Sequence, residues 1–372
     1  APTFGGINLE DIKAPESFII EERLRERCDI PVMHDDQHGT AIIAAAGLVN
    51  ALRITDRSLA DIRMVVNGAG AAAIATLSLL KSMGMPNENA VMCDSRGVIY
   101  RGRTEGMNQW KSIHAVETDL RTLDEAMDGA DVFFGLSVKD AITQDMVASM
   151  APRPIIFAMA NPDPEIKPEL VHEVRDDALM ATGRSDYPNQ VNNVLGFPYI
   201  FRGALDVRAR AINDEMKIAA VSALAELARE DVPDEVGEAY GRKLKFGPEY
   251  LIPAPFDPRL IVAVPQAVAK AAMETGVARR PIIDMDAYTE ELKGRLDPTY
   301  DRLQRVYDRA RGKGQRVVFA EGEDPRAIRA ALALKNGDLG RPILVGRQED
   351  IEASLADMGI DPSTLEIRNA GL

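Results

Sequence analysis

Met64-Val65-Val66-Asn67-Gly68-Ala69-Gly70-Ala71-Ala72-Ala73 is the stretch from which the fold can be read. The first four residues read as a strand, and Gly68-x-Gly70-x-x-Ala73 turns that strand into a helix. Gly68 allows the tight turn, and Gly70 lets the backbone approach a pyrophosphate. The third position needs only a small residue for helix–strand packing, which Ala73 supplies. The N–H groups and positive dipole end of the helix, starting near Ala69 and Ala71, then face the phosphates. Asp94 ends the next apolar strand, 26 residues beyond Gly68. Strand, glycine turn, helix and a following acid together distinguish a dinucleotide-binding unit from an ordinary glycine-rich turn.

Outward from this unit, apolar runs and helical patterns alternate. Strands are expected at Met64–Asn67, Ala90–Cys93, Asp131–Leu136 and Ile155–Met159, with almost no polar residues in the third. Such strands belong to a parallel sheet buried on both faces, so the fold class is α/β with a doubly wound, Rossmann-like sheet. Helices are expected at Glu16–Cys28, Ala41–Leu52, Asn213–Ala228 and Leu260–Met273. Ala41–Leu52 is apolar nearly all round and should be buried. Ala287–Arg311 reads as a charged connecting helix, and at Gln315 a second α/β unit begins. The domain plan is therefore 1–52, 53–276, 277–314 and 315–372.

The 372 residues suit two or three domains. Lys and Arg total 44 against 58 Asp and Glu, a balance of −14. That argues against nucleic-acid or anionic-membrane binding. No apolar run reaches membrane-spanning length. Cys28 and Cys93 read as reduced thiols, and His114 and His172 as surface residues. Cytoplasmic residence is the expectation. The chain starts at Ala1 in a glycine-rich stretch and stops soon after a new unit begins, so a piece of a longer protein is expected.

Arg96, Arg101 and Arg103 follow Asp94. Asp94 suits the ribose 2′-hydroxyl of NAD, whereas guanidinium groups suit the 2′-phosphate of NADP. The alternative is a solvated basic turn; the balance favours NADP. Glu10-Asp11 and Asp35-Asp36 flank one helix, at what look like the ends of adjacent strands. Several carboxylates without thiolates suit Mg²⁺ or Mn²⁺. A solvent-facing acidic turn is the competing reading, and spacing alone leaves both open. His34 and His38 fit supporting roles better than ligation.

Phe4-Gly5-Gly6-Ile7-Asn8-Leu9-Glu10-Asp11-Ile12, His34-Asp35-Asp36-Gln37-His38-Gly39-Thr40 and the Gly68 turn resemble the malic enzymes. Ala160-Asn161-Pro162 and 182–193 do so too, while Val318–Glu323 and Pro342–Arg347 resemble the opening of a phosphate-acetyltransferase-like domain. The likeness is to the bacterial type in which the two are fused. It implies Glu10, Asp11 and Asp36 as metal ligands, with Asp35 beside them. It implies Asn161 and Asn193 as substrate and nicotinamide contacts, with Asn192 adjacent, and Gly68, Gly70 and Ala73 as the pyrophosphate loop. The implied reaction is oxidative decarboxylation of L-malate to pyruvate and CO₂ with NADP or NAD. A homo-oligomer and an acetyl-CoA-type effector acting through the C-terminal domain are also implied. The family's tyrosine acid and lysine base come from a region before the first motif. Lys13 and Tyr187 do not match them, so this chain alone is expected to turn malate over poorly. The alternatives are another metal-dependent hydroxy-acid dehydrogenase and a regulatory dinucleotide-binding piece.

Overall fold

In a computed structural model, the structure describes residues 3–370, the side chains of 296–308 excepted. It divides into two compact units, Ala1–Leu292 and Lys293–Leu372.

In the first unit β1 (Ile7–Leu9) and β2 (Val32–His34) form a parallel pair in which Leu9 lies opposite His34. The main sheet contains β3 (Met64–Asn67), β4 (Ala90–Asp94), β5 (Gly97–Val98), β6 (Val132–Gly135), β7 (Ile155–Ala158) and β8 (Leu179–Thr182). Their spatial order is β5-β4-β3-β6-β7-β8, all parallel except the short β5. The chain runs outward from β3 to β4, then crosses back to β6 on the other side. That reversal opens a crevice at the C-terminal end of β3, where α/β sheets bind ligands.

Every residue of β3, β6 and β7 is buried, which is why these strands lack the polar–apolar alternation of a half-exposed sheet. Phe134 and Phe157 stack with centroids 4.8 Å apart, and truncating either to Ala would cost about 3–5 kcal/mol. The Ala-rich helix Thr40–Thr55 buries 12 of its 16 residues, so packing on all sides, not an amphipathic stripe, holds it. The expected helices recur at Glu16–Arg27, Asp214–Arg229, Leu260–Glu274 and Met285–Ala310.

The second unit has a parallel sheet of β9 (Arg316–Phe319), β10 (Arg341–Gly346) and β11 (Glu366–Asn369), ordered β11-β10-β9. Ile328, Ala331, Leu344, Ile351 and Leu355 form its core.

Both cysteines are free thiols. Burial, followed by the neighbouring Asp94, pushes the Cys93 thiol up to about 12, so it is inert. His172 is exposed, as expected. His114 is not a surface residue: it is buried against the helix Ala71–Ser82, with Nδ1 2.9 Å from Lys81 Nζ and Nε2 3.3 Å from Ser78 Oγ. Its position in a polar stretch hid this, because the helix residues that contact it, Lys81 and Ser78, are 33 and 36 residues away in sequence.

Candidate active site

At the end of β3 the backbone enters Gly68 with φ +125°, a region closed to ordinary side chains. A Cβ there would also lie 2.3 Å from the Leu136 carbonyl oxygen, so the turn is packed tightly against the end of β6. Gly70 caps the helix Ala71–Ser82, and Ala73 is fully buried at the helix–strand contact. The first N–H groups of that helix are the ones a pyrophosphate would take.

Asp94 ends β4 with its side chain 8% exposed. Arg103 Nη2 donates to both its oxygens at 2.7 and 2.9 Å, and Lys111 Nζ donates at 2.7 Å. The Arg96 N–H donates to Oδ1 at 2.9 Å. Burial raises the Asp94 carboxyl, but the bonds from Lys111, Arg103 and the Arg96 N–H outweigh it and hold the group below the usual range. The Arg96 guanidinium pairs instead with Glu105, and exposed Arg101 sits 3.8 Å from Glu117. Of the three arginines only Arg103 brings its guanidinium to Asp94. Lys111 escaped sequence reading: it lies on a single helical turn, Gln109–Ser112, capped by Asn108, and nothing local signals its partner 17 residues back.

The acidic pairs leave the same end of the β1–β2 ribbon. Asp11, at φ 56°, enters through its backbone: its N–H donates to Asp36 Oδ2 at 2.8 Å. Glu10 Oε2 accepts from Asn8 at 3.0 Å. Asp35–Gly39 winds into a π-helical turn, the kind of local over-winding that places functional side chains. Asp35 is buried and its Oδ1 has no partner; both ring nitrogens of buried His34 also lack one. Burial, then Glu10, and also Asp36, push the Asp35 carboxyl up to about 7, against a lowering bond from Asn193. Burial, followed by Asp36 and also Asp11, raises Glu10.

A buried glutamate, Glu21, holds this loop from behind. It accepts from the His34 N–H at 3.2 Å, Gln37 Nε2 at 3.3 Å and Arg25 Nη2 at 2.6 Å, and lies 3.0 Å from His38 Nε2. Burial raises its carboxyl, but His38 and Arg25 bring it below the usual range. His38 therefore supports the loop, and burial lowers it to about 4 despite Glu21.

Glu10, Asp35 and Asp36 line one cleft of about 670 Å³ with Asn161, Asn192 and Asn193. Asn161 follows β7. Asn193 accepts from Thr40 Oγ1 at 3.1 Å, while Asn192 Oδ1 caps its own turn by accepting from the Val194 N–H at 3.0 Å. Asp94 and Arg96 lie away from this cleft, on the β4 side of the glycine turn. Tyr187 donates to Glu169 at 2.9 Å, and no tyrosine or lysine is among the described cleft-lining residues.

Among the described residues no three His, Cys, Asp or Glu side chains converge closely enough to cage a cation. The donor set nevertheless fits a hard divalent ion: all oxygens, mutually repelling, with an orphaned buried acceptor on Asp35. An open site completed by substrate oxygens would need no closed protein cage.

A doubly wound parallel sheet with a glycine turn at its reversal point defines a dinucleotide-binding domain of the Rossmann-like class. A family model described as malic enzyme, NAD binding domain, matches residues 37–240, and one described as phosphate acetyl/butaryl transferase matches 302–371. The NADP-dependent malic enzyme of Rhizobium meliloti (strain 1021) is 65% identical over 374 residues, covering 100% of this chain and 49% of that protein. The NAD-dependent malic enzyme of the same organism is 52% identical over 361 residues, covering 96% and 47%. The crystal structure of malic enzyme from Pyrococcus horikoshii superposes with a TM-score of 0.71 at 38% identity, covering 82% of this chain and 70% of that one. The chain belongs to the malic enzyme family. It spans about half the length of the curated relatives just described.

Proposed function

We propose that this chain serves the oxidative decarboxylation of L-malate to pyruvate and CO₂, with NADP⁺ in preference to NAD⁺ and with Mg²⁺ or Mn²⁺. One observation carries the reading: carboxylates Glu10, Asp35 and Asp36 and amides Asn161 and Asn193 share one cleft, on the far side of the glycine turn from Asp94. The two halves of a dinucleotide would span that turn, leaving the nicotinamide half beside the acids.

Glu10, Asp11 and Asp36 are the proposed ion holders. When bound, the ion supplies Lewis-acid polarisation of the substrate C2 oxygen. Asn161 and Asn193 orient the substrate, and the Thr40 hydroxyl fixes the Asn193 rotamer. Met159 and Phe197 give the cleft an apolar wall that limits water. The described cleft residues supply no tyrosine acid or lysine base, so this chain contributes binding and orientation.

The NADP preference rests on charge. Asp94 is outnumbered by Arg103 and Lys111, which leaves a positive excess where a 2′-phosphate would sit.

Fluorescence titration with NADPH and NADH tests the cofactor reading. Tighter NADH binding would sink the preference, and no binding of either would sink the assignment. The plan 1–52, 53–276, 277–314 and 315–372 is the proposed domain layout, the last part serving homo-oligomerisation and an acetyl-CoA-type effector. The match of 302–371 to phosphate acetyl/butaryl transferases supports this. No helix among the described residues is long and apolar enough to cross a membrane, and cytoplasmic residence is part of the same proposal.

A further inference from the structure

We propose that Glu165 is a positioning residue for the nicotinamide half of the dinucleotide, its carboxylate setting the spacing between the ends of β6 and β7. The inference rests on the dinucleotide reading above and deepens it.

Glu165 lies in the loop after β7 and is 0% exposed. Its Oε1 accepts from the Ser137 N–H at 2.9 Å and from Ser137 Oγ at 3.4 Å. Its Oε2 accepts from the Ala160 N–H at 3.0 Å. Ser137 Oγ in turn accepts from Asn67 Nδ2 at 2.9 Å. One row of bonds thus ties together the ends of β3, β6 and β7. Asn67 directly precedes Gly68, and Ala160 directly precedes Asn161. Leu136, Ser137, Ala160 and Asn161 all line the cleft.

The seat for this carboxylate is cut into the sheet. A Cβ on Gly135 would stand 2.3–2.6 Å from its three carboxyl atoms, so only glycine admits it. Burying a carboxyl is costly, and an apolar side chain would fill the space without that cost. What a carboxylate alone does here is accept at once from backbone N–H groups just beyond the ends of two different strands. Glutamine has one acceptor oxygen, so its amide NH₂ would oppose one of those donors. Aspartate is one methylene shorter and would fall short of the pair.

The row stops at β3. Asp94, Arg103 and Lys111 belong to the β4 side and share no bond with it. Glu165 should therefore govern one half of the dinucleotide and leave the other alone, which a general stabilising role would not do.

The experiment uses the purified 372-residue chain. Wild type, Glu165→Gln and Ser137→Ala are titrated with NADPH and with adenosine 2′,5′-bisphosphate, which carries only the adenosine half. Thermal unfolding is followed in parallel. Glu165→Gln is expected to weaken NADPH about tenfold while the bisphosphate changes by less than about twofold. Ser137→Ala, which keeps the backbone bond, is expected to weaken NADPH about threefold with the same selectivity. If Glu165→Gln does not fold, Ser137→Ala decides. With both ligands bound by wild type, an equal fall in the two, or no change in either, would overturn the role of Glu165. Wild type binding neither ligand would instead overturn the dinucleotide reading itself, and this inference with it.

Discussion

Asp94 and Asp35 each stand at or just beyond the C-terminal end of a strand, and both are largely shielded from solvent. Asp94 is bracketed by Arg103 and Lys111 and held below the usual carboxylate range. Asp35 faces Glu10 and Asp36, leaves one oxygen without a partner, and is pushed up to about 7. The same residue type, on one side of the glycine turn, sits in a surplus of positive charge; on the other, in a surplus of negative charge. A folded chain tolerates an unbalanced pocket at a cost, and a bound ligand of opposite charge removes that cost. On the proposed reading the Asp94 end takes an anionic ligand group and the Asp35 end a cation.

The largest expected effect breaks the acidic end. Asp36→Asn removes the carboxylate charge and leaves one amide oxygen to serve both the Asp11 N–H and an ion, so Mn²⁺ affinity should fall at least about a hundredfold. Electron paramagnetic resonance of free Mn²⁺ measures it, and unchanged affinity would remove the cation from this end.

Next comes the turn between the ends. Gly68→Ala places a methyl against the Leu136 carbonyl at positive φ, and should cost about 2 kcal/mol of stability. Thermal melts give that number, and dinucleotide titration should show binding lost. A variant that melts and binds like wild type would show that the turn is not closed as described.

At the basic end, Lys111→Ala should cut the preference for NADPH over NADH about tenfold, because a charged contact to the 2′-phosphate is lost while Asp94 regains acceptor capacity. An unchanged ratio in paired titrations would return Lys111 to a purely structural pairing with Asp94.

The smallest effect concerns the packing under the Lys111 loop. Burial, then Lys81, lower His114 to about 4 from its ordinary 6.5. Between these values the unfolded chain binds more protons than the native one, so stability rises with pH. The contribution is fully present above pH 6.5 and is lost as pH falls toward 4. His114→Gln should flatten urea-unfolding stability over that window by on the order of 1 kcal/mol relative to wild type. His38, also lowered to about 4, titrates in the same window in both proteins, so the difference isolates His114. Parallel curves would show that His114 titrates normally.

What could be read along the chain was local. Asn67-Gly68 announces a strand end and turn because only glycine permits that backbone. Both acidic pairs were visible as runs, and the β1–β2 register then placed them at one end of one ribbon. β8 was missed because its four residues carry no pattern that separates them from a loop. Lys111, Glu21 and Glu165 were missed because each has a decisive partner 13–28 residues distant.

The sequence by itself determined the doubly wound class, four of the parallel strands, the glycine turn and the residue types available around it. These follow from backbone restrictions and hydrophobic spacing, which act between near neighbours. Only the tertiary structure decided which acids are matched by bases and which are left to repel one another, and which buried carboxylate spaces the strand ends. Charge balance and hydrogen-bond satisfaction depend on distance in space, and no spacing in the sequence encodes that before the chain has folded.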